Sequence, residues 1–535
     1  MSVPAARREA VPVRVRLDGI DRSLPVWAAA ALALVLLMAL PLGWLAYMSV
    51  SGESGATFAH YRRALGDPAI GKALWNTVVL AFWVGIASVA VGAPLAWLTA
   101  RTDVPGKRLI RSLVLASFVT PPFLGAFAWV MLAGPNAGLL NKLWRGLTGA
   151  DDALLNIFSM PGLVFVVTIY TFPYVYIMIA NTLALIASDL EEAAAILGAG
   201  RLMVALTVTL PMVAPAVVSG FILSVLQALA LFGSPAILAL PAGFHTITTQ
   251  VWSLFQFPPK VELAAAVSIP LLLATALLLF VQKRLLGRRG YAAVGGKGAQ
   301  RRIIPLGIWR YPALLACLAV MACAIFLPYG VLAKAAFARA WAQPLTRDNL
   351  TLANVSFTFF EYSATRAAIL NTLELGVMTA CVGAGLVALL SYITSRKLVL
   401  GHQVVAFLAL APVVIPGVVL AVALFIAYTR PPLLLYRLRV LADITAPLAR
   451  SGIIAAWCFI FIGVIRELSA SIILFTPSTK VMSVVIFDLK EEGQFGAIAV
   501  LGLFMLAMTF ATVVLVQALL GRDVLGSRQS ANVAG

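Results

Sequence analysis

The chain has 535 residues, of which 62% are hydrophobic and 11% charged. A soluble domain carries about 25% charged residues, and a single soluble core stops growing at roughly 250–300 residues, so a soluble globular protein is excluded. The formal net charge of +18 points to loops that orient a membrane protein and not to nucleic acid, because no basic run carries interleaved aromatics on a soluble module.

The apolar residues fall in eleven blocks: 24–50, 73–99, 109–133, 159–184, 212–240, 263–282, 309–334, 368–394, 402–428, 451–475 and 496–520. Lipid offers a free N–H or C=O no partner, so blocks of this length read as spanning helices. The predicted fold class is all-α, a polytopic transmembrane helical bundle. The first block is too long for a signal-peptide core and no clear small-residue cleavage site follows it. It reads as a retained helix, with Arg7, Arg8, Arg14, Arg16 and Arg22 holding a cytoplasmic tail over 1–23.

Six blocks return the chain to its starting side, where Lys283, Arg284, Arg288, Arg289, Lys297, Arg301 and Arg302 mark a basic cytoplasmic linker over 283–308. Gly295-Gly296-Lys297-Gly298 is not a phosphate loop, since the first glycine is misplaced and no Ser/Thr follows the lysine. Cys317, Cys323, Cys381 and Cys458 lie in apolar blocks without a CxxC pair, and His60, His245 and His402 have no metal-ligand spacing. No nucleophile elbow is present either. The expectation is a chain with no catalytic residue, metal or cofactor of its own.

The linker divides two similar halves, 24–282 and 309–522, with a tail over 523–535. Trp75-Asn76-Thr77 matches Leu370-Asn371-Thr372. Trp97, Thr99 and Arg101 match Tyr392, Thr394 and Arg396, and Pro121 matches Pro416, all at an offset of 295 residues. Pro211 then matches Pro447 and Pro241 matches Pro477 at an offset of 236, so the second half is 59 residues shorter between 417 and 447. Arg437, Arg439 and Asp443 make 429–443 a poor span, each central charge costing about 2.5–3.5 kcal/mol. That places the C-terminus outside, whereas the positive charge at Arg437, Arg439 and Arg450 favours the cytoplasmic side for this segment.

After the fourth block, Glu192-Ala193-Ala194, Gly198 and Val208-Thr209-Leu210-Pro211 fit E-A-A-x3-G-x9-[IV]-x-L-P without a gap. Here the sequence resembles the integral-membrane subunits of binding-protein-dependent ABC importers. The resemblance implies two tandem permease units with twelve spans, against the eleven blocks read here. It also implies a cytoplasmic coupling helix, built from Glu191, Glu192, Ala193, Ala194, Gly198, Leu210 and Pro211, that docks on an ATPase subunit. The residue types agree: small alanines permit close contact, Gly198 stops a helix, and Leu210-Pro211 lets the chain turn back toward the membrane. In the second half only Ile444-Thr445-Ala446-Pro447 remains of this motif.

Arg466-Glu467-Leu468-Ser469-Ala470-Ser471, Pro477, Ser483–Leu489 and Glu492-Gly493-Gln494-Phe495 look like the second half of the fused ferric-iron permeases. Permeases for thiamine, phosphonate and polyamines share the frame. Glu374, Arg466, Glu467 and Ser469 are candidates for lining a substrate path, since ionisable residues in apolar blocks face a bundle interior. A helix-end charge at the membrane surface is the other reading of Arg466 and Glu467, and a structural partner for a neighbouring helix that of Glu374.

The resemblance implies a multi-pass protein of the bacterial inner membrane that takes solute from an extracytoplasmic binding protein by alternating access. That binding protein is expected on the loops around 240–262 and 476–496. ATP would be used by a partner, an ABC ATPase present in two copies. Beyond these and the lipid bilayer, no nucleic-acid partner is expected. An ion-coupled secondary transporter is the rival class, but the motif at 192–211 has no role there.

Overall fold

Proline shapes the membrane helices. It has no N–H to donate, and its ring collides with the carbonyl four residues back. Three helices of the computed structural model meet this in the same way, with a five-residue π-turn followed by Leu-Pro. Val35–Ala39 precedes Leu40-Pro41, Ala205–Thr209 precedes Leu210-Pro211, and Ala322–Phe326 precedes Leu327-Pro328. In each, the leucine N–H reaches the carbonyl five residues back, at Val35, Ala205 and Ala322. The wider turn makes room for the ring. Pro211 therefore lies inside a helix and is not where the chain turns.

The structure describes residue 32 and residues 34–52, 55–186, 189–287, 303–396, 405, 408, 415–428 and 450–520. The tails at 1–23 and 523–535, the linker over 288–302 and the disputed segment 429–449 lie outside these. The helices that matter below are, in the first half, α1 Val35–Ser49, α2 Pro68–Arg101, α3 Lys107–Val119, α4 Pro122–Ala133, α5 Met160–Leu185, α6 Asp189–Ile196, α7 Ala205–Ala230, α8 Gly233–Leu238, α9 Ile247–Ser253 and α10 Val261–Gly287. In the second they are α11 Gly307–Ala336, α12 Ser363–Arg396, α13 Gly417–Tyr428, α14 Arg450–Arg466, α15 Ser471–Leu474, α16 Met482–Glu491 and α17 Phe495–Leu520.

Among the described residues seven helices are long and apolar enough to cross a membrane: α2, α5, α7, α10, α11, α12 and α17. The block at 109–133 is not one straight helix but α3 and α4, bent by 101°. The cause is Pro121-Pro122. Thr120 (ψ 130°) and Pro121 (ψ 125°) are both extended, as residues before proline must be. The blocks at 212–240 and 451–475 are likewise interrupted, α7 ending at Ala230 and α14 at Arg466 before the short helices α8 and α15. Helix α10 runs to Gly287, past the start expected for the linker.

Helices α2, α5 and α7 form the densest part of the first half. A Cβ on Gly92 would lie 2.8 Å from the Phe172 carbonyl oxygen, so only glycine lets α2 approach α5 this closely. Ser88 and Thr171 share a hydrogen bond of 2.9 Å, as do Thr99 and Tyr176. The same stripe of α12 is open. Leu80 is 1% exposed, but Leu375, 295 residues on, is 45% exposed, because no counterpart of α5 covers α12 among the described residues. Glu374 sits on this exposed face.

Both halves carry one pair of clamps. The Ile247 N–H, first in α9, donates to Thr77 Oγ1 at 2.7 Å, and the Met482 N–H, first in α16, to Thr372 Oγ1 at 2.9 Å. Such N–H groups have no partner within their own helix. Each threonine donates in turn to the carbonyl of Ala73 or Ala368 at 2.7 Å. Asn76 Nδ2 donates to the His245 carbonyl at 3.0 Å, and Asn371 Nδ2 to the Lys480 carbonyl at 2.9 Å. A second clamp joins each short helix to the adjacent break: Thr248 Oγ1 donates to the Leu231 carbonyl and Ser483 Oγ to the Glu467 carbonyl, both at 2.8 Å. Ile247 and Met482 are 235 residues apart, one less than the prolines suggest.

Thr77→Val and Thr372→Val keep the shape of the side chain and strand a buried N–H. Each is expected to cost about 1–2 kcal/mol, and the double variant about the sum, since the sites share no partner. Thermal denaturation of the purified protein in detergent checks this; no loss in either single variant would refute the clamp.

Candidate functional site

Two places bring the sequence-marked residues together. The first is the segment after α5. Glu191, in the first turn of α6, is 6% exposed and Arg101, the last residue of α2, is 2% exposed. Arg101 Nη2 lies 3.5 Å from Glu191 Oε1 and donates to the Ile186 carbonyl at 3.3 Å. Glu191 Oε1 also accepts from Thr209 Oγ1 at 2.8 Å. One carboxylate thus ties α6 to the end of α2 and to the π-turn that begins α7. Burying both charges is costly, and the pair persists because each has a partner.

Helix α6 ends as the glycine requires. Gly198 has φ +87°, which an L side chain resists. The Leu197 N–H bonds the Ala193 carbonyl at 3.1 Å and the Ala199 N–H the Ala194 carbonyl at 3.0 Å, the pattern of a left-handed cap. The turn expected at Leu210-Pro211 is made here. Ala193 is exposed and Ala194 half-buried. Ile196 and Leu197 are 85% and 88% exposed, a bare apolar end on a polar helix. Leu210 and Pro211 are exposed on α7. The Glu192 side chain lies outside the described residues.

Sequence reasoning missed Arg101 as Glu191's partner, although the Thr99–Arg101 match marked it. It also missed the anchoring of the linker's far end: the Ile304 N–H donates to the Arg101 carbonyl and the Leu306 N–H to Asp103 Oδ1, both at 2.8 Å.

The second place is the seam between the halves, where broken helices end. Arg466 Nη1 donates to the Phe118 carbonyl, and its guanidinium carbon lies 5.6 Å from the centre of the Phe118 ring. That ring meets Tyr174 edge-on at 5.1 Å and stacks on Phe459 at 6.4 Å. Thr120 and Tyr329 share a hydrogen bond of 2.6 Å. Leu468 lies against Gly233, 3.3 Å from where a Cβ would be. Glu467 Oε1 accepts the Ala470 N–H at 2.9 Å, capping the start of α15. Ser469 is half-buried beside Gly417. Arg466, Glu467 and Ser469 are therefore together. Glu374 is elsewhere, on the open face of α12, without a hydrogen bond or ion pair among the described residues.

Residues 92–290 match the family described as "Binding-protein-dependent transport system inner membrane component". The molybdenum transport system permease protein ModB of Escherichia coli K12 is 30% identical over 192 residues, covering 81% of that protein and 34% of this chain. The chain belongs to this family. The ferric transport system permease protein FbpB of Actinobacillus pleuropneumoniae is 23% identical over 510 residues, 86% of this chain and 73% of that protein. A solved bacterial ABC transporter involved in alginate import aligns with a TM-score of 0.43 at 17% identity, covering 50% of this chain and 97% of that one. The protein is a multi-pass permease subunit of an ABC importer, and its role is transport.

In this permease Arg101→Leu leaves Glu191 buried without its cation, a change worth about 3–5 kcal/mol. Amide hydrogen exchange across 189–204 is expected to quicken strongly. The double variant Arg101→Leu with Glu191→Leu is expected to exchange close to the native rate. Equal exchange in the native and single-variant proteins would show that the pair does not hold α6.

Proposed function

We propose that this permease is the channel of an importer for ferric iron in the bacterial inner membrane, taking solute from an extracytoplasmic binding protein. One observation carries the coupling assignment. Helix α6 is anchored by Glu191 to α2 and α7 and capped at Gly198, and it presents Ile196 and Leu197 uncovered. A helix held at its base and bare at its tip suits docking into a groove on an ATPase subunit, two copies of which would hydrolyse the ATP. Residues Glu191, Glu192, Ala193, Ala194, Gly198, Leu210 and Pro211 form this element. ATP-driven closure of the ATPases would pull α6, and with it α2, so the two permease units rock about the seam. Arg466, Glu467 and Ser469 are the residues the solute meets there.

Iron is favoured because the ferric relative aligns across both halves. Molybdate is the second reading, since the molybdenum relative is the more alike over the part it covers. Burial marks which parts of the loops around 240–262 and 476–496 are open to the binding protein. Residues 256–260, 476–479 and 491–494 are exposed, while Met482–Phe487 is buried.

Leu197→Asp with Gly198→Asp is expected to reduce ATPase recovered in a pull-down by at least about tenfold, with membrane insertion unchanged. Undiminished recovery would remove the coupling assignment. In cells lacking other uptake routes, radiolabelled ferric iron is expected to accumulate with this importer and labelled molybdate is not; the opposite result would move the substrate to the oxyanion.

A further inference from the structure

Arg466 ends α14, and Phe118 lies in the last turn of α3. Both helices stop inside the bundle, so both present carbonyls without partners in their own helix and the negative end of a dipole. The guanidinium answers both by bonding the Phe118 carbonyl and lying over its ring. This bond crosses from the second half to the first.

Ending the helix does not require an arginine. The matched clamps align Leu231 with Glu467, which puts Ala230 opposite Arg466 in the sequence. Ala230 ends α7 in the corresponding place with no side chain to reach across. Glu467, the next residue in the chain, acts on the guanidinium through space, but its Oε1 is engaged by the Ala470 N–H within the same half, and Arg466 makes no close ion pair among the described residues. A desolvated cation without a close ion pair costs free energy, and the hydrogen bond and ring contact at Phe118 that offset part of the cost exist only while the halves are together.

We infer that Arg466 is a positioning residue of the transport cycle, a latch that joins the end of α14 to the end of α3 in the closed state and releases when the halves part. The inference rests on the permease reading above.

The test places Leu468→Cys, at a site 3% exposed against Gly233, in a chain whose Cys317, Cys323, Cys381 and Cys458 are replaced by alanine. The reporter is labelled with a water-soluble maleimide in proteoliposomes without ATP. Arg466→Gln is expected to raise the labelling rate about tenfold, the worth of one charge-assisted hydrogen bond. Arg466→Lys is expected to restore most of the protection. With the ATPase present, hydrolysis without binding protein is expected to rise in the glutamine variant and fall back in the lysine variant. Phe118→Leu keeps the carbonyl but removes the ring, and is expected to give a smaller rise in labelling. Unchanged labelling in Arg466→Gln, or an equal rise in the glutamine and lysine variants, would overturn the latch. The labelling needs no ATPase, so a failure of the coupling assignment is read separately, from the pull-down.

Discussion

A backbone group inside a membrane has no water to bond, and the interior of this permease is organised around that constraint. Its helices break at Thr120-Pro121, Leu231-Phe232 and Glu467–Ala470, and each break exposes carbonyls and N–H groups. The structure satisfies them with particular side chains. Ser234 Oγ donates to the Pro122 carbonyl at 3.0 Å, the Thr248 and Ser483 hydroxyls reach the Leu231 and Glu467 carbonyls, and Arg466 takes the Phe118 carbonyl. Every one of these bonds joins separate segments. The groups that make a break tolerable are therefore also the groups that fix how the pieces around the seam sit.

The halves solve the problem alike at their outer ends and differently elsewhere. Both keep the Asn-Thr clamp and the hydroxyl at the break. Only the first has α5 to cover its long helix and α6 to follow it among the described residues. The consequence is visible along α12, where Leu375 is 45% exposed although Leu80 on α2 is 1% exposed. The face that α5 covers on α2 is open on α12, with Glu374 upon it. Gly92, which α5 requires, is matched by Val387; a bulky residue is tolerated where no helix presses close.

Much of this was legible in the sequence for identifiable reasons. Long apolar stretches without proline pairs, such as α10 and α17, have one physical outcome in a membrane. The E-A-A-x3-G spacing located α6 and its glycine stop because φ near +87° leaves glycine nearly alone as a choice. The Asn-Thr match was visible, but its purpose was not, since its partners at Ile247 and Met482 lie 170 and 110 residues away. The breaks were hidden by composition. Leu231-Phe232 is as apolar as any span, and hydropathy does not register that Gly233-Ser234-Pro235 resumes the helix in a new direction. Pro211 misled for the opposite reason: the π-turn over Ala205–Thr209 lets the helix run through it, and that turn leaves no mark in hydropathy.

These contacts make α2 the mechanical axis of the first half. It is 34 residues long, about 51 Å at 1.5 Å per residue. At one end Arg101 holds Glu191 of α6. Toward the other, Asn76 and Thr77 hold the start of α9. Helix α9 in turn holds the break at Leu231 through Thr248, and Gly233 just beyond that break touches Leu468 of the other half. A continuous line of contacts thus runs from α6 to the seam, through one long helix and two hydroxyls. At Gly92 the close approach packs α5 directly against that axis. In the second half the corresponding line is described only from Asn371 and Thr372 outward, through Met482 and Ser483 to Glu467. The first half therefore has the longer described line of contacts to the seam, and Arg466 is where the second half bonds the first there.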